Sequence, residues 1–186
     1  SNLHHIVIVG GGAGGLELAT QLGDTFGKSS KAKITLVDQK LTHIWKPLLH
    51  EIAAGTMNPN DEETNYYAHS SKHHYEFVLG RFEQLDRENK TIFLSKSQTT
   101  KYDPSIEQQT LSYDTLIIAV GSVSNDFNTP GVKDYCHYLD SRQQADIFQQ
   151  DLLHLYLDAQ NKNIDRDLKI AVIGAGATGV ELSAEL

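Results

Sequence analysis

One local pattern occurs at both ends of the chain, and it leaves few folds open. Residues 6–19 read IVIVGGGAGGLELA, and residues 168–186 read LKIAVIGAGATGVELSAEL. Each is a short apolar run, three glycines in a GxGxxG frame, and then a helical stretch. Ile6 to Val9 lack polar alternation and are too few for a helix, so they read as a strand buried on both faces. Gly10 permits a sharp turn out of that strand, Gly12 leaves no Cβ in the path of a pyrophosphate, and Gly15 lets the following helix pack on the strand. That helix offers unpaired N–H groups and the positive end of its dipole to phosphates. Leu16, Ala19, Leu22 and Phe26 follow at near-helical spacing and predict a face packed on a sheet.

A second strand, Lys33 to Val37, closes the unit. Asp38 stands at its end, 23 residues beyond Gly15, the distance at which a carboxylate meets the ribose hydroxyls of a bound adenosine. A lone GxGxxG also occurs in ordinary tight turns. Strand before, helix after and acid at this distance make a dinucleotide cradle of it. At the other end, Gly174, Gly176 and Gly179 repeat the frame after a stretch that reads as a buried strand. The chain stops a few residues into the following helix, so a fragment of a longer protein is expected. The fold class that follows is α/β. A Rossmann-like dinucleotide-binding domain with a parallel sheet and an inserted antiparallel β hairpin is expected over 1–125, and a linker, a helix and the start of a second Rossmann-like domain over 126–186.

Composition narrows the function. The 186 residues suffice for one good core or two small ones. A net charge of −8 without a basic block argues against nucleic acid and against direct binding to anionic lipid. No run of 18 apolar residues is present and no signal peptide precedes the first strand, so the fragment is expected to be soluble. Ser1 and Asn2 have the look of a cleavage scar. Cys136 is the single cysteine and cannot form an internal disulfide or a paired-cysteine redox centre. Nine histidines raise the question of a metal. His4 with His5 and His73 with His74 alternate faces in an extended chain, and no HExxH or Cys/His spacing occurs, so no metal site is expected.

Between the two cradles the pattern is less specific. Pro47 suits the first turn of a helix whose apolar face is Leu48, Leu49, Ile52 and Ala53, ending at Gly55. As pattern this is a packing helix under a loop. Lys46 adds a second reading, because a cation before a helix N-terminus favours an anionic reduced flavin or a diphosphate. Residues 56–75 are polar and read as loop or surface helix. Tyr75 to Leu94 reads as two strands joined by a charged turn at Asp86 to Lys90. Ser112 to Ser122 reads as a buried strand ending in Ala119, Val120 and Gly121; it is either a plain central strand with its turn or one that gives a cofactor backbone access. Ser141 to Gln160 reads as a helix with Ala145, Phe148, Leu152, Leu155, Tyr156 and Ala159 on one stripe.

With these residues in view, the chain resembles the two-dinucleotide-binding-domain flavoproteins of the pyridine nucleotide-disulfide oxidoreductase-like superfamily. Within them it resembles the type II NADH dehydrogenases, which are single-subunit NADH:quinone oxidoreductases. The segments that carry the resemblance are HIWKPLLHEIAAG, YDTLIIAVGS, PGV followed by LDSRQQA, and VIGAGATGVELSAEL. It covers nearly all of the chain and only the N-terminal part of such a protein. The resemblance implies FAD on the first glycine loop and NADH on the second. It implies that Gly10, Gly12, Gly14, Gly15 and Asp38 contact FAD, that Lys46 and Pro47 lie by the flavin, Phe82 by the adenine, and Ala119 and Gly121 along the cofactor. Gly174, Gly176 and Gly179 would belong to the NADH site. Glu181 and Lys46 would carry the catalytic role, Glu181 facing the place where nicotinamide meets flavin. Asp38 departs from the family, which more often has Glu there.

The same resemblance implies a membrane quinone as electron acceptor, a peripheral position on the cytoplasmic side of the inner membrane, and attachment only through a C-terminal region beyond this chain. The fragment itself, without the later strands of its FAD sheet, is expected to be inactive and to cover its exposed strand edges by self-association, as a homodimer for example. Disulfide reductases of this fold place a cysteine pair where this chain has KPLLHEIAAG, which excludes dithiol chemistry. Two other readings remain: an NADH-dependent reductase of a small iron–sulfur protein, and a redox-sensing flavoprotein resembling apoptosis-inducing-factor relatives.

Overall fold

The computed structural model describes residues 3–44, 48–57, 63–95, 109–161 and 168–186. In chain order the elements are β1 (His4–Val9), α1 (Ala13–Leu22, continued by a π turn over Gly23–Gly27), β2 (Ala32–Asp38), β3 (Thr42–His43), α2 (Leu49–Ala54), β4 (Thr64–Asn65) and α3 (Tyr66–Lys72). Then follow β5 (Glu76–Leu79), β6 (Arg81–Asp86), β7 (Thr91–Ser95), β8 (Gln109–Ser112), β9 (Thr115–Ile118), α4 (Val132–Tyr135), α5 (Arg142–Asn161) and α6 (Ala177–Glu185). They fall into two compact units, Ser1–His43 with Glu63–Gly121, and Ile44–Glu62 with Ser122–Leu186.

The first unit is built on a four-stranded parallel sheet in the order β5-β2-β1-β9. Successive side chains of a strand point to opposite faces, so an unbroken apolar run needs cover on both sides. β1 has it. Ile8 packs with Ala19 of α1, Leu36, Tyr66 and Phe77, whereas Val7 and Val9 pack with Val37, Ile92 and Leu94. Each such fully buried aliphatic side chain contributes about 1.5–3 kcal/mol. The second face is covered by the antiparallel sheet β6-β7-β8.

Several expectations change here. Tyr75 to Leu94 forms three strands, because Gly80 separates β5, which joins the parallel sheet, from β6, which pairs with β7. The expected hairpin is the larger part of a three-stranded sheet. The stretch 112–122 is not a fully buried strand: β9 covers four of its residues and pairs with β1 alone among the described residues, leaving Ile118 half exposed. Phe26 falls off the buried stripe of α1, because the π turn takes over from Gly23 and rotates it outward.

The second unit is helical. Leu49, Ile52 and Ala53 of α2 pack against Ala145 of α5, with Phe148 and Leu182 at the margin. Of the expected α5 stripe, Ala145 and Leu152 are buried, while Leu155 and Tyr156 are exposed. The stretch 168–173, expected as a buried strand, pairs with no described strand, and Ile173 is 83% exposed. An apolar extended segment becomes a buried strand only when neighbours supply its ladder and cover its faces.

Candidate functional site: two glycine turns

In the first unit the turn between β1 and α1 is fixed from several sides. Gly10 has φ +104° and donates its N–H to Val37 O at 2.8 Å, while Ala119 N–H reaches Val9 O at 2.7 Å. A Cβ on Gly10 would overlap the Ala119 carbonyl, and one on Gly15 the Gly10 carbonyl. At Gly12 and Gly14, by contrast, a Cβ would meet nothing within 4 Å among the described residues. The turn is thus closed against the protein and open on the side where a ligand would lie. The first N–H groups of α1 face that side, since a helix leaves its leading donors without intrahelical partners.

Asp38 reaches the turn. Its Oδ2 accepts the Gly11 N–H at 2.7 Å and its Oδ1 the Lys40 N–H at 2.9 Å. A carboxylate has about four acceptor positions, so both oxygens retain capacity for a hydroxyl donor. Two residues that sequence reasoning did not assign support the turn from beneath. Tyr66, at the start of α3 and 2% exposed, donates its hydroxyl to Gly11 O at 2.6 Å and stacks on Phe77 with ring centroids 4.8 Å apart. Burial, reinforced by the Asp38 charge and by Tyr75, pushes the Tyr66 phenol far above its ordinary range, so it remains a donor. His43 lies near the same ring, and burial lowers its imidazole below the ordinary value, partly offset by Asp38 and the Gly11 backbone. No local signal marks Tyr66, which contacts a residue 55 positions earlier.

The other expected residues of this unit are distributed around the turn. Ala119 abuts Gly10 and Gly15. Gly121 has φ +71° with open space at its Cβ. Phe82 pairs with Leu94 and packs into the apolar cluster around Ile92. Lys46 and Pro47 lie outside the described residues.

The second unit repeats the turn. Gly174 has φ +111°, a Cβ on Gly179 would overlap the Gly174 carbonyl, and Gly176 faces open space. Even the first helical bond matches: Val180 N–H to Gly176 O at 3.1 Å, against Leu16 N–H to Gly12 O at 2.9 Å. Beside this turn is a cleft lined by Ser124, Asp140, Thr178 and Glu181 with Leu49 and Leu139. Asp140 is fixed by Ser124, whose N–H donates to its two carboxylate oxygens at 3.0 and 2.9 Å. Gln144 Oε1 accepts the Asp140 N–H at 2.7 Å, while Ser141 Oγ accepts the Gln144 N–H, a cap on α5. Glu181 projects from the first turns of α6, with its Oε2 3.3 Å from Nδ1 of the buried His50. Among the described residues no cluster of His, Cys, Asp and Glu could hold a metal ion, and no helix is long and apolar enough to cross a membrane.

Two glycine turns of this geometry, the first in a parallel sheet with an acid at the end of the adjacent strand, define a nucleotide-binding α/β protein with Rossmann-like architecture. The family model described as pyridine nucleotide-disulphide oxidoreductase matches residues 4–186, and the chain belongs to that family. It is 45% identical to the type II NADH:quinone oxidoreductase of Haemophilus influenzae over 99% of its length and 45% of the relative's. It is 29% identical to the enzyme of that name from Staphylococcus aureus, over 97% of its length and 42% of the relative's. The chain therefore spans less than half the length of these relatives. A structure of NDH2 from Plasmodium falciparum in complex with NADH superimposes with a TM-score of 0.79 at 26% identity, covering 98% of this chain and 36% of that one.

Proposed function

We propose that the protein is an FAD-dependent oxidoreductase that takes hydride from NADH and passes the electrons to a membrane quinone. The observation that carries this reading is the pair of geometrically matched glycine turns, in a chain similar throughout to named NADH:quinone oxidoreductases. The residues present fit the two ligands. Open space at Gly12 and Gly14 leaves room for a diphosphate over the α1 N-terminus, and Asp38 retains acceptor positions for a ribose. Open space at Gly176 does the same at α6.

Bound FAD would supply the two-electron chemistry, and the chain orients and polarises. Gly10, Gly12, Gly14 and Gly15 hold the FAD diphosphate, Asp38 its adenosine, and Phe82, Ala119 and Gly121 border it. Gly174, Gly176 and Gly179 hold NADH, with Glu181 positioning the nicotinamide end. Lys46 and Pro47 would lie by the flavin, where a cation favours a negatively charged ring. In this reading residues 1–125 are the first part of an FAD domain and residues 126–186 the linker and start of an NADH domain. The intact protein is peripheral, attached to the cytoplasmic side of the inner membrane through a region beyond this chain, and a homodimer. Anaerobic stopped-flow on the intact protein tests it. Rapid flavin bleaching by NADH followed by rapid quinone-dependent recovery is expected. Bleaching without recovery would move the acceptor to a protein such as a small iron–sulfur carrier, and no bleaching would overturn the reading.

A further inference from the structure

α2 is a short helix whose buried face is Leu49, Ile52 and Ala53, and a histidine is set into the same buried surface. His50 is 8% exposed, one of three buried polar residues among those described. A buried imidazole needs partners for its ring nitrogens, or its desolvation is uncompensated. Nδ1 is wholly buried and, among the described residues, makes no hydrogen bond of proper alignment. It nevertheless lies 3.3 Å from Glu181 Oε2 on α6, while Nε2 is 3.9 Å from Glu51 Oε1. The charged groups of the neighbouring part of α5 are engaged elsewhere, Arg142 with Asp146 and Asp151 with His137. Glu181 itself is about half exposed and lines the cleft beside the second glycine turn.

We infer that His50 is the positioning residue for Glu181: with its proton on Nδ1 it holds Oε2 against α2 and leaves Oε1 turned to the cleft for the nicotinamide-bearing ligand. This rests on the proposed function for the role of Glu181, but the contact between the two side chains does not. A free glutamate at the second turn of a helix samples several rotamers, and fixing one removes entropy that ligand binding would otherwise cost.

Two measurements on the intact protein separate the parts of this inference. With 15N-histidine labelling, Glu181→Gln is expected to move the His50 Nδ1 resonance while Glu51→Gln moves it far less. A resonance indifferent to Glu181→Gln would overturn the inference whatever the enzyme does. In anaerobic stopped-flow, His50→Leu is expected to slow flavin bleaching by NADH about tenfold, with His50→Asn, which keeps an N–H at the Nδ1 position, restoring most of the rate. Combining His50→Leu with Glu181→Gln is expected to cost no more than Glu181→Gln alone, and additive losses would overturn the pairing. Should His50→Leu fail to fold, His50→Met, which also fills the site without an N–H, takes its place with the same expected and overturning outcomes. A wild-type protein that NADH does not bleach would overturn the functional reading and leave the resonance test standing.

Discussion

The first and second glycine turns have nearly the same backbone, with φ +104° at Gly10 and +111° at Gly174, yet they stand in opposite surroundings. The first is flanked by β2 and β9 and underpinned by Tyr66. The second follows a stretch that has no ladder among the described residues and whose Ile173 is largely exposed. A turn shape can therefore be written into six residues, because it needs only glycines where φ is positive or another backbone approaches. Burial cannot be written so locally. It requires strands and helices from elsewhere in the chain.

The largest way to break that comparison is one substitution made twice. Gly10→Val forces a side chain into the Ala119 carbonyl at a left-handed φ, and should cost about 3–5 kcal/mol, seen as collapse of the urea midpoint. Gly174→Val has the same φ but no atom within 4 Å of the new Cβ, so only conformational strain of about 1–2 kcal/mol is expected. Equal losses would mean that surroundings contribute nothing. Next comes Tyr66→Phe, which keeps the stack on Phe77 and orphans Gly11 O. A loss of about 1–2 kcal/mol is expected, together with weaker FAD retention on gel filtration.

A smaller effect distinguishes the first unit by pH. Burial holds His5, His43 and His69 below the ordinary imidazole value, His5 helped by Lys33 and His69 by His73 and Lys72. The unfolded chain then binds protons at about pH 6.5 that the folded unit refuses until lower pH. Stability should therefore fall as pH drops below about 6.5, and level off once the depressed folded values are passed. A urea midpoint constant from pH 7 to 5 would contradict this, and His43→Gln should flatten the slope. The smallest expected change in stability is in Gly12→Ala and Gly176→Ala, each within about 0.5 kcal/mol because both Cβ positions are open. Their effect should appear in ligand binding, as weaker FAD uptake for the first and a higher NADH requirement for the second. A large stability loss in either would show that the open side is not open.

These contrasts also mark what was legible in the sequence. Gly10, Gly12, Gly15 and Asp38 could be placed because strand, turn, helix and acid are tied by spacing along a short stretch. Tyr66 and His43 could not, since their partners at the first turn are far away in sequence and no periodicity marks them. The split of 75–94 at Gly80 was hidden because two strands of different sheets, read end to end, resemble one. The exposure of β9 and of 168–173 was hidden for the converse reason: apolar composition reports what a strand would bury, not whether a neighbour is there to cover it.

Tyr66 has one more consequence, for the order of events on the ribosome. The glycine turn, α1 and Asp38 emerge first, and by themselves they already spell the cradle. The hydroxyl beneath Gly11 arrives with residue 66, and the carbonyl that packs under Gly10 only with residue 119. At about 5–20 residues per second, that leaves the nascent turn without its supports for some seconds. The floor under the turn is therefore complete only once the chain has been made through β9, well after the glycines that form its surface.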